Sequence, residues 1–238
     1  MIRLDQVSLS YEKGPEVLKD VNLHLPEGSF HFLTGPSGAG KTSLLKLIFL
    51  AHRASAGRVH LMGQDVAALS RRQLAKARRQ IGVVFQDFRL IDHLSIYDNV
   101  TLPLRVAGQK EASYQQNVIE LLDWVGLGGH IHALPETLSG GEKQRAAIAR
   151  AVITRPKIII ADEPTGNVDP EMGIRLIRLL DELNKMGTTI LLATHDQTLW
   201  SQFAHPRLHL EDGHIRHIAN TPEPHPEAPI AVADEVVT

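Results

Sequence analysis

The stretch from residue 35 to residue 42 decides the fold, and it reads Gly35, Pro36, Ser37, Gly38, Ala39, Gly40, Lys41, Thr42. Its pattern is glycine, four variable residues, glycine, lysine and a hydroxyl residue. An apolar, strand-like run covers residues 30–33, and a helix-like run covers residues 42–48. Such a motif is meaningful only between a strand and a helix, and this chain supplies both. The sequence therefore predicts an α/β fold built around a strand–loop–helix unit.

The loop at residues 35–42, here called the phosphate loop, is suited to capturing an anion. Its glycines let successive backbone N–H groups point inward at phosphate oxygens, and the next helix adds a positive dipole end. Lys41 would place a cation on the β- and γ-phosphates, and the Thr42 hydroxyl would bind Mg²⁺. Ser43 follows in the same helical turn. We predict a site for a nucleoside triphosphate and Mg²⁺, in preference to a glycine-rich turn that binds nothing.

The composition indicates a globular protein with no direct attraction to nucleic acid. The 238 residues are 43% hydrophobic and 22% charged. The net charge of −2 gives the protein no overall positive potential that would attract nucleic acid. The absence of cysteine fits a reducing compartment. The first residues lack the apolar core of a signal peptide, and the densest apolar run, 44–51, is too short to span a bilayer. We expect any membrane role to go through a partner.

Other segments predict the surroundings of the loop. Residues 2–11 and 17–25 alternate between polar and apolar side chains, which favours two antiparallel strands. Tyr11, at the end of the first, is either an ordinary strand aromatic or a ring that stacks on a base. Gln86 follows a buried-type strand at 81–85, where ligands of open α/β sheets gather. Residues 97–107 and 111–125 read as helices inserted between strands of the core.

A second glycine-rich helix start lies far along the chain, at Ser139, Gly140, Gly141 and Glu142. It precedes a strongly helical run at 146–153 and presents free N–H groups with no side chains in the way. It is therefore either a second phosphate-binding end or a plain N-cap, with Ser139 and Glu142 forming a capping box.

Acidic residues follow two further buried strands. The apolar run at 158–161 leads into Asp162 and Glu163, where the first acid can hold Mg²⁺ and the second can orient or deprotonate the attacking water. A tight loop at 166–169 brings Asp169 to the start of a helix over 170–186. His195 follows a strand at 188–193; it is either a structural histidine or a group beside the γ-phosphate.

A basic helix is predicted after Ser70, with five cations between residues 71 and 79 and no acidic residue among them. A solvated face is the ordinary explanation of such a cluster. Contact with anionic lipid heads or with an acidic partner segment is the alternative.

Taken in order, these motifs resemble the nucleotide-binding subunits of the ATP-binding cassette (ABC) family, over residues 1 to about 218. The resemblance implies a P-loop NTPase fold with an antiparallel β subdomain and a helical subdomain, and a head-to-tail dimer that holds two ATP molecules. It assigns Ser139, Gly140 and Gly141, with Glu142 beside them, to the γ-phosphate held by the other subunit's loop. Asp169 would lie across the dimer interface.

The same resemblance assigns roles within one subunit. Tyr11 would stack on adenine, and Gln86 would sense Mg²⁺ and connect to the helical subdomain. Glu163 would be the general base, and His195 would hold the γ-phosphate. Thr42, Gln86 and Asp162 would form the metal site. We expect the ABC domain to cover residues 1–220, with the helical subdomain at about 87–155, followed by a proline-rich, disordered tail at 221–238.

Within the family, residues 79–90 and 97–100 are similar to the branch that acts in bacterial cell division. That branch implies an FtsX-type membrane partner, moved by ATP-driven dimer closure to control cell-wall hydrolysis. It also implies a peripheral location on the cytoplasmic face of the inner membrane. The segment Phe88–Asn99 is the expected docking surface because it is apolar for a free surface; the alternative is that these side chains pack internally. The alternative is the ATPase of a lipoprotein-release or macrolide-efflux transporter, whose branch shares many of these residues.

Overall fold

The computed structural model describes residues 1–12 and 14–218. The strands are β1 (Ile2–Ser10), β2 (Glu16–Leu25), β3 (Phe30–Thr34), β4 (Ala56–Leu61), β5 (Gln64–Asp65), β6 (Ile81–Val84), β7 (Ile158–Asp162), β8 (Thr189–Ala193), β9 (Arg207–Glu211) and β10 (His214–Ile218). The helices are α1 (Lys41–Ile48), α2 (Arg71–Arg78), α3 (Ile96–Val106), α4 (Gln115–Trp124), α5 (Gly140–Val152), α6 (Pro170–Lys185) and α7 (Gln197–Gln202). The predicted tail at 221–238 lies outside the described residues.

Two sheets form the body of the protein. The first has four strands in the order β2-β1-β4-β5, and β1 pairs with β2 antiparallel, as its alternating sequence predicts. Alternate residues of these strands, including Ile2, Leu4, Leu18 and Leu25, are buried against the core. The alternation therefore gives the sheet one packed face and one polar face.

The second sheet has six strands in the order β10-β9-β3-β8-β7-β6. β9, β3, β8, β7 and β6 run parallel, and every residue of β7 and β8 is buried, as expected of strands covered on both faces. Parallel strands end at the same edge of a sheet. The phosphate loop, Gln86, Glu163 and His195 each follow one of these strands, so the topology gathers at one edge segments that are far apart in sequence.

The helical insertion has a core of its own. Side chains of α3 and α4 pack with the following loop and with two residues of α5, Ala146 and Ala149. Other residues of α5, Ile148 and Val152 among them, pack into the core of the six-stranded sheet. α5 is therefore shared by the insertion and the sheet. It begins at Gly140, six residues before the predicted helical run, and the helix predicted from residue 111 begins only at Gln115, after a 3₁₀ turn at Glu111–Ser113.

The basic helix is α2, and Ser70 caps it in a capping box with Gln73. Ala77 is buried and Leu74 is half buried, whereas the cations are exposed. One of them, Arg78, donates through Nη2 to the backbone oxygen of Leu50 at 2.6 Å. Within residues 1–12 and 14–218, no helix has the length and apolar character needed to cross a bilayer.

Candidate functional site

A cavity of about 660 Å³ lies at the carboxyl edge of the six-stranded sheet, and we call it the loop cavity. It brings together residues from six separate stretches of the chain. Its lining consists of Tyr11, Val17, Gly35, Pro36, Ser37, Gly38, Gly40, Lys41, Thr42, Ser43, Gln86, Asp162, Glu163 and His195. Thirteen of these fourteen residues are ones that the sequence predicts for the site; the exception is Val17.

The phosphate loop has the backbone geometry that its glycines allow. Gly35 has φ +144°, and a Cβ at this position would overlap the backbone oxygen of Leu210 in β9, so only glycine fits. Lys41 is the first residue of α1, and its ammonium donates to the backbone oxygens of Gly35 at 2.8 Å and Pro36 at 3.0 Å. Ala39 is buried behind the loop and does not line the cavity. The loop thus presents a cation and a helix N-terminus to the cavity.

A set of oxygen ligands lies next to the loop. The Thr42 hydroxyl donates to Asp162 Oδ2 at 2.7 Å, and Gln86 lines the same cavity. Asp162 is only 9% exposed, and burial raises the pKa of its carboxyl group; the charge of Glu163 acts in the same direction, and the Thr42 hydrogen bond opposes it. Hydroxyl, carboxylate and amide oxygens are the ligands of a hard divalent cation. Because a cation would compensate the buried carboxylate, these residues fit Mg²⁺.

Glu163 and His195, which both line the cavity, form a hydrogen-bonded pair. His195 Nδ1 lies 2.8 Å from Glu163 Oε1, and an ionised Glu163 can only accept, so Nδ1 carries the proton. The carboxylate is 14% exposed, whereas the His195 side chain is 75% exposed. Glu163 adopts φ +50°, and its backbone N–H donates to Ala193 at the end of β8. This arrangement can accept a proton from a water molecule while the imidazole faces the cavity.

Tyr11 lines the cavity and is 38% exposed. Its hydroxyl donates to Ser43 Oγ at 2.9 Å, and its ring lies nearly perpendicular to the ring of His52, with 5.2 Å between the centroids. The hydrogen bond and the ring contact hold a tyrosine that is still partly exposed, which suits it as a platform for a base. Sequence reasoning did not identify Val17 or His52, because an apolar strand residue and a histidine after a helix carry no signal of their own.

The predicted second helix end lies outside the loop cavity. Ser139 caps α5 in the predicted capping box: its backbone N–H and its hydroxyl both donate to Glu142 Oε2, at 2.8 and 2.7 Å. Those bonds lower the pKa of Glu142. Gly140 and Gly141 begin α5, and Asp169 caps α6 by accepting from Met172 N at 2.9 Å. The capping role is therefore present, and the loop cavity of one chain contains none of these five residues.

Comparison with known proteins identifies the family. The model of the ABC transporter family matches residues 18–166. The cell division ATP-binding protein FtsE of Escherichia coli is 45% identical over 215 residues, which are 90% of this chain and 97% of that protein. FtsE of Haemophilus influenzae is 43% identical over 218 residues, covering 91% and 100%. FtsE of Bacillus subtilis is 36% identical over 215 residues, covering 90% and 94%.

Solved structures agree with these relatives. A dimer of the ATP-binding cassette MJ0796, in a post-hydrolysis state bound to ADP and Pi, has a TM-score of 0.86 at 34% identity. That comparison covers 92% of this chain and 98% of the cassette. Family model, relatives and fold thus agree over most of the chain. This chain belongs to the ABC transporter family and is an ATP-binding ATPase of that family.

Proposed function

We propose that this chain is the ATPase subunit of an FtsE-type cell-division complex, in which two copies close around two ATP molecules and move an FtsX-type membrane protein. The relatives named FtsE support the assignment, since they share 36–45% identity over about nine tenths of this chain. The movement of the membrane partner then controls cell-wall hydrolysis on the other side of the membrane. The complex would lie on the cytoplasmic face of the inner membrane.

Dimer closure is the step that the geometry of the site supports best. The loop cavity has the phosphate loop, Gln86 and Glu163, but Ser139, Gly140 and Gly141 lie elsewhere on the chain. A second, head-to-tail copy would bring that helix end to the γ-phosphate, and the MJ0796 cassette was solved as a dimer. ATP bound between two surfaces has a differential affinity for the closed state, so binding shifts the population toward closure and hydrolysis releases it.

Hydrolysis itself needs a base, a cation and a γ-phosphate contact. Glu163 accepts the proton of the attacking water, and His195, held at 2.8 Å by Glu163, keeps its imidazole toward the γ-phosphate. Lys41 and the start of α1 stabilise charge on the phosphates. Thr42, Asp162 and Gln86 would hold Mg²⁺, which neutralises charge on the β- and γ-phosphates when bound.

The docking surface is the segment Phe88–Asn99. Phe88, Leu90, Ile91 and Leu94 are each only half buried, which is unusual for a cluster of large apolar side chains. Asn99 is fully buried and fixes the segment, because its side chain accepts from Ile91 N at 2.7 Å and donates to the backbone oxygens of Ile91, Leu94 and Ser95. A rigid, partly apolar surface next to Gln86 is suited to receive a short segment of a membrane partner.

The test is capture of the partner from detergent-solubilised membranes of the source cells. We expect the chain to recover a four-helix membrane protein with a large extracytoplasmic loop, and Leu94→Asp to lose it. Met186→Asp is the matched control, since Met186 is a 70% exposed apolar residue at the end of α6 and is not part of this segment. Recovery of a lipoprotein-release or drug-efflux permease instead would overturn the proposal.

A further inference from the structure

Two consecutive residues directly after Gln86 and Asp87 adopt left-handed backbone conformations. Phe88 has φ +57° and Arg89 has φ +49°. A left-handed conformation costs a non-glycine residue about 1–2 kcal/mol, so a run of two persists only when the surroundings hold it. Sequence offers no hint of this turn, because neither residue is a glycine, an asparagine or an aspartate.

Arg150, near the end of α5, stabilises these two conformations by hydrogen bonds. Its Nη2 donates to the backbone oxygen of Phe88 at 2.6 Å, and its Nη1 donates to the backbone oxygen of Arg89 at 2.5 Å. The planar guanidinium therefore donates to the carbonyl groups of both strained residues at once. The single ammonium of a lysine does not reproduce this geometry. Within residues 1–12 and 14–218 no carboxylate forms an ion pair with Arg150, and its guanidinium bonds the two carbonyl groups instead.

The turn at Phe88 and Arg89 also contacts the residue that follows β6, Phe85. The Arg89 guanidinium lies 4.1 Å from the centre of the Phe85 ring, and its Nε donates to Asp87 Oδ1 at 3.1 Å. Residues 85–89 therefore form one fixed unit that carries Gln86 into the loop cavity. α5 is continuous from Gly140 to Val152, so the helix that holds this unit is the one that begins beside Ser139.

From this geometry we infer that Arg150 is a positioning residue for Gln86, and that it makes the Gln86 segment and the helix beginning at Ser139 move as one body. The inference rests on the role proposed above for Gln86 at the Mg²⁺ site. Arg150 touches no part of the loop cavity itself. Its effect on hydrolysis must therefore pass through the backbone of Phe88 and Arg89.

The test compares Arg150→Met with Arg78→Met in the full chain. Arg78 is the matched control because it also donates to a backbone oxygen at 2.6 Å, on α2 and away from the cavity. We expect Arg150→Met to lower kcat about tenfold or more, since small misplacements of catalytic groups are costly, with KM for ATP within about threefold. Arg78→Met should leave both within about twofold. A purely structural role would lower the melting temperature of Arg150→Met but leave kcat per ATP-binding site unchanged, which overturns the inference.

A double-mutant comparison identifies the route. If Arg150 acts through Gln86, Arg150→Met added to Gln86→Ala should lower kcat by less than about twofold further. If the double variant loses the full product of the two separate reductions in kcat, the inference is overturned. A Gln86→Ala variant with native kcat would instead refute the proposed role of Gln86. Should Arg150→Met not fold, Arg150→Lys carries the test: it keeps the charge but not the fork, and native kcat in that variant overturns the inference.

Discussion

Replacement of Glu163 by glutamine tests the chemistry of the site in isolation. The change keeps the size of the side chain and leaves an amide that can still contact His195, which lies 2.8 Å from Glu163 Oε1, but it removes the proton acceptor. A positioned general base contributes about 10²–10⁴-fold, or about 2.7–5.5 kcal/mol of barrier. We therefore expect kcat for phosphate release to fall by at least about a hundredfold.

ATP binding should survive the same substitution, because the Glu163 side chain pairs with His195 and makes no hydrogen bond to the phosphate loop. With ATP and Mg²⁺, Glu163→Gln should then elute as a stable dimer, because closure is no longer reversed by hydrolysis. Asp181→Asn is the matched control, since Asp181 Oδ1 also lies 2.9 Å from a histidine, His205, outside the cavity. A Glu163→Gln protein that hydrolyses ATP at the native rate would refute the assignment of the base.

Three further predictions follow from the geometry. Tyr11→Ala should raise KM for ATP by about two- to twelvefold and leave kcat near native, since an aromatic stack contributes about 0.5–1.5 kcal/mol. An unchanged KM would show that Tyr11 does not stack on the base. Asp162→Asn should raise the Mg²⁺ concentration needed for half-maximal turnover by about tenfold or more, since a buried charged ligand is lost; an unchanged Mg²⁺ titration would count against the metal site. Burial, and to a smaller extent His217 and His205, lower the pKa of His31 to about 4, below its unfolded value. The unfolded chain therefore binds a proton that the native state does not as the pH falls from about 6.5 to 4, and up to about 3 kcal/mol of stability is lost in that window. His31→Leu should flatten the fall of melting temperature over those pH values, and an unchanged fall would show that His31 is not its source.

The local parts of the fold follow from the sequence. The order of glycines around Lys41 requires a strand before it and a helix after it, and the structure has β3 and α1 there. The last two strands, β9 and β10, have local signals too, namely alternation and a turn at Asp212 and Gly213 between them. The order of the strands has no such local signal: β3 lies between β9 and β8 in the six-stranded sheet, and these pairings join segments more than a hundred residues apart.

The candidate site also has features that the sequence predicts and features that it does not. Residue types with a chemical role, such as Asp162, Glu163 and His195, could be identified because each stands at the end of an apolar strand. The left-handed turn at Phe88 and its hydrogen bond from Arg150 could not be identified from the sequence. The two residues are 62 positions apart, and neither segment has a pattern that indicates the turn or the bond.

Mixing two inactive variants tests most directly whether the site is shared between copies. Lys41→Ala disables the phosphate loop, and Gly140→Glu blocks the helix end; its Cβ would meet only Asn167 Cβ, at 3.9 Å, so the monomer has room for it. In a head-to-tail pair of the two variants, one of the two sites combines a native phosphate loop with a native helix end. We predict that each variant alone is inactive and that an equal mixture regains about a quarter of native ATPase activity, since half of the dimers are mixed and each has one intact site. A mixture as inactive as its components would contradict the account.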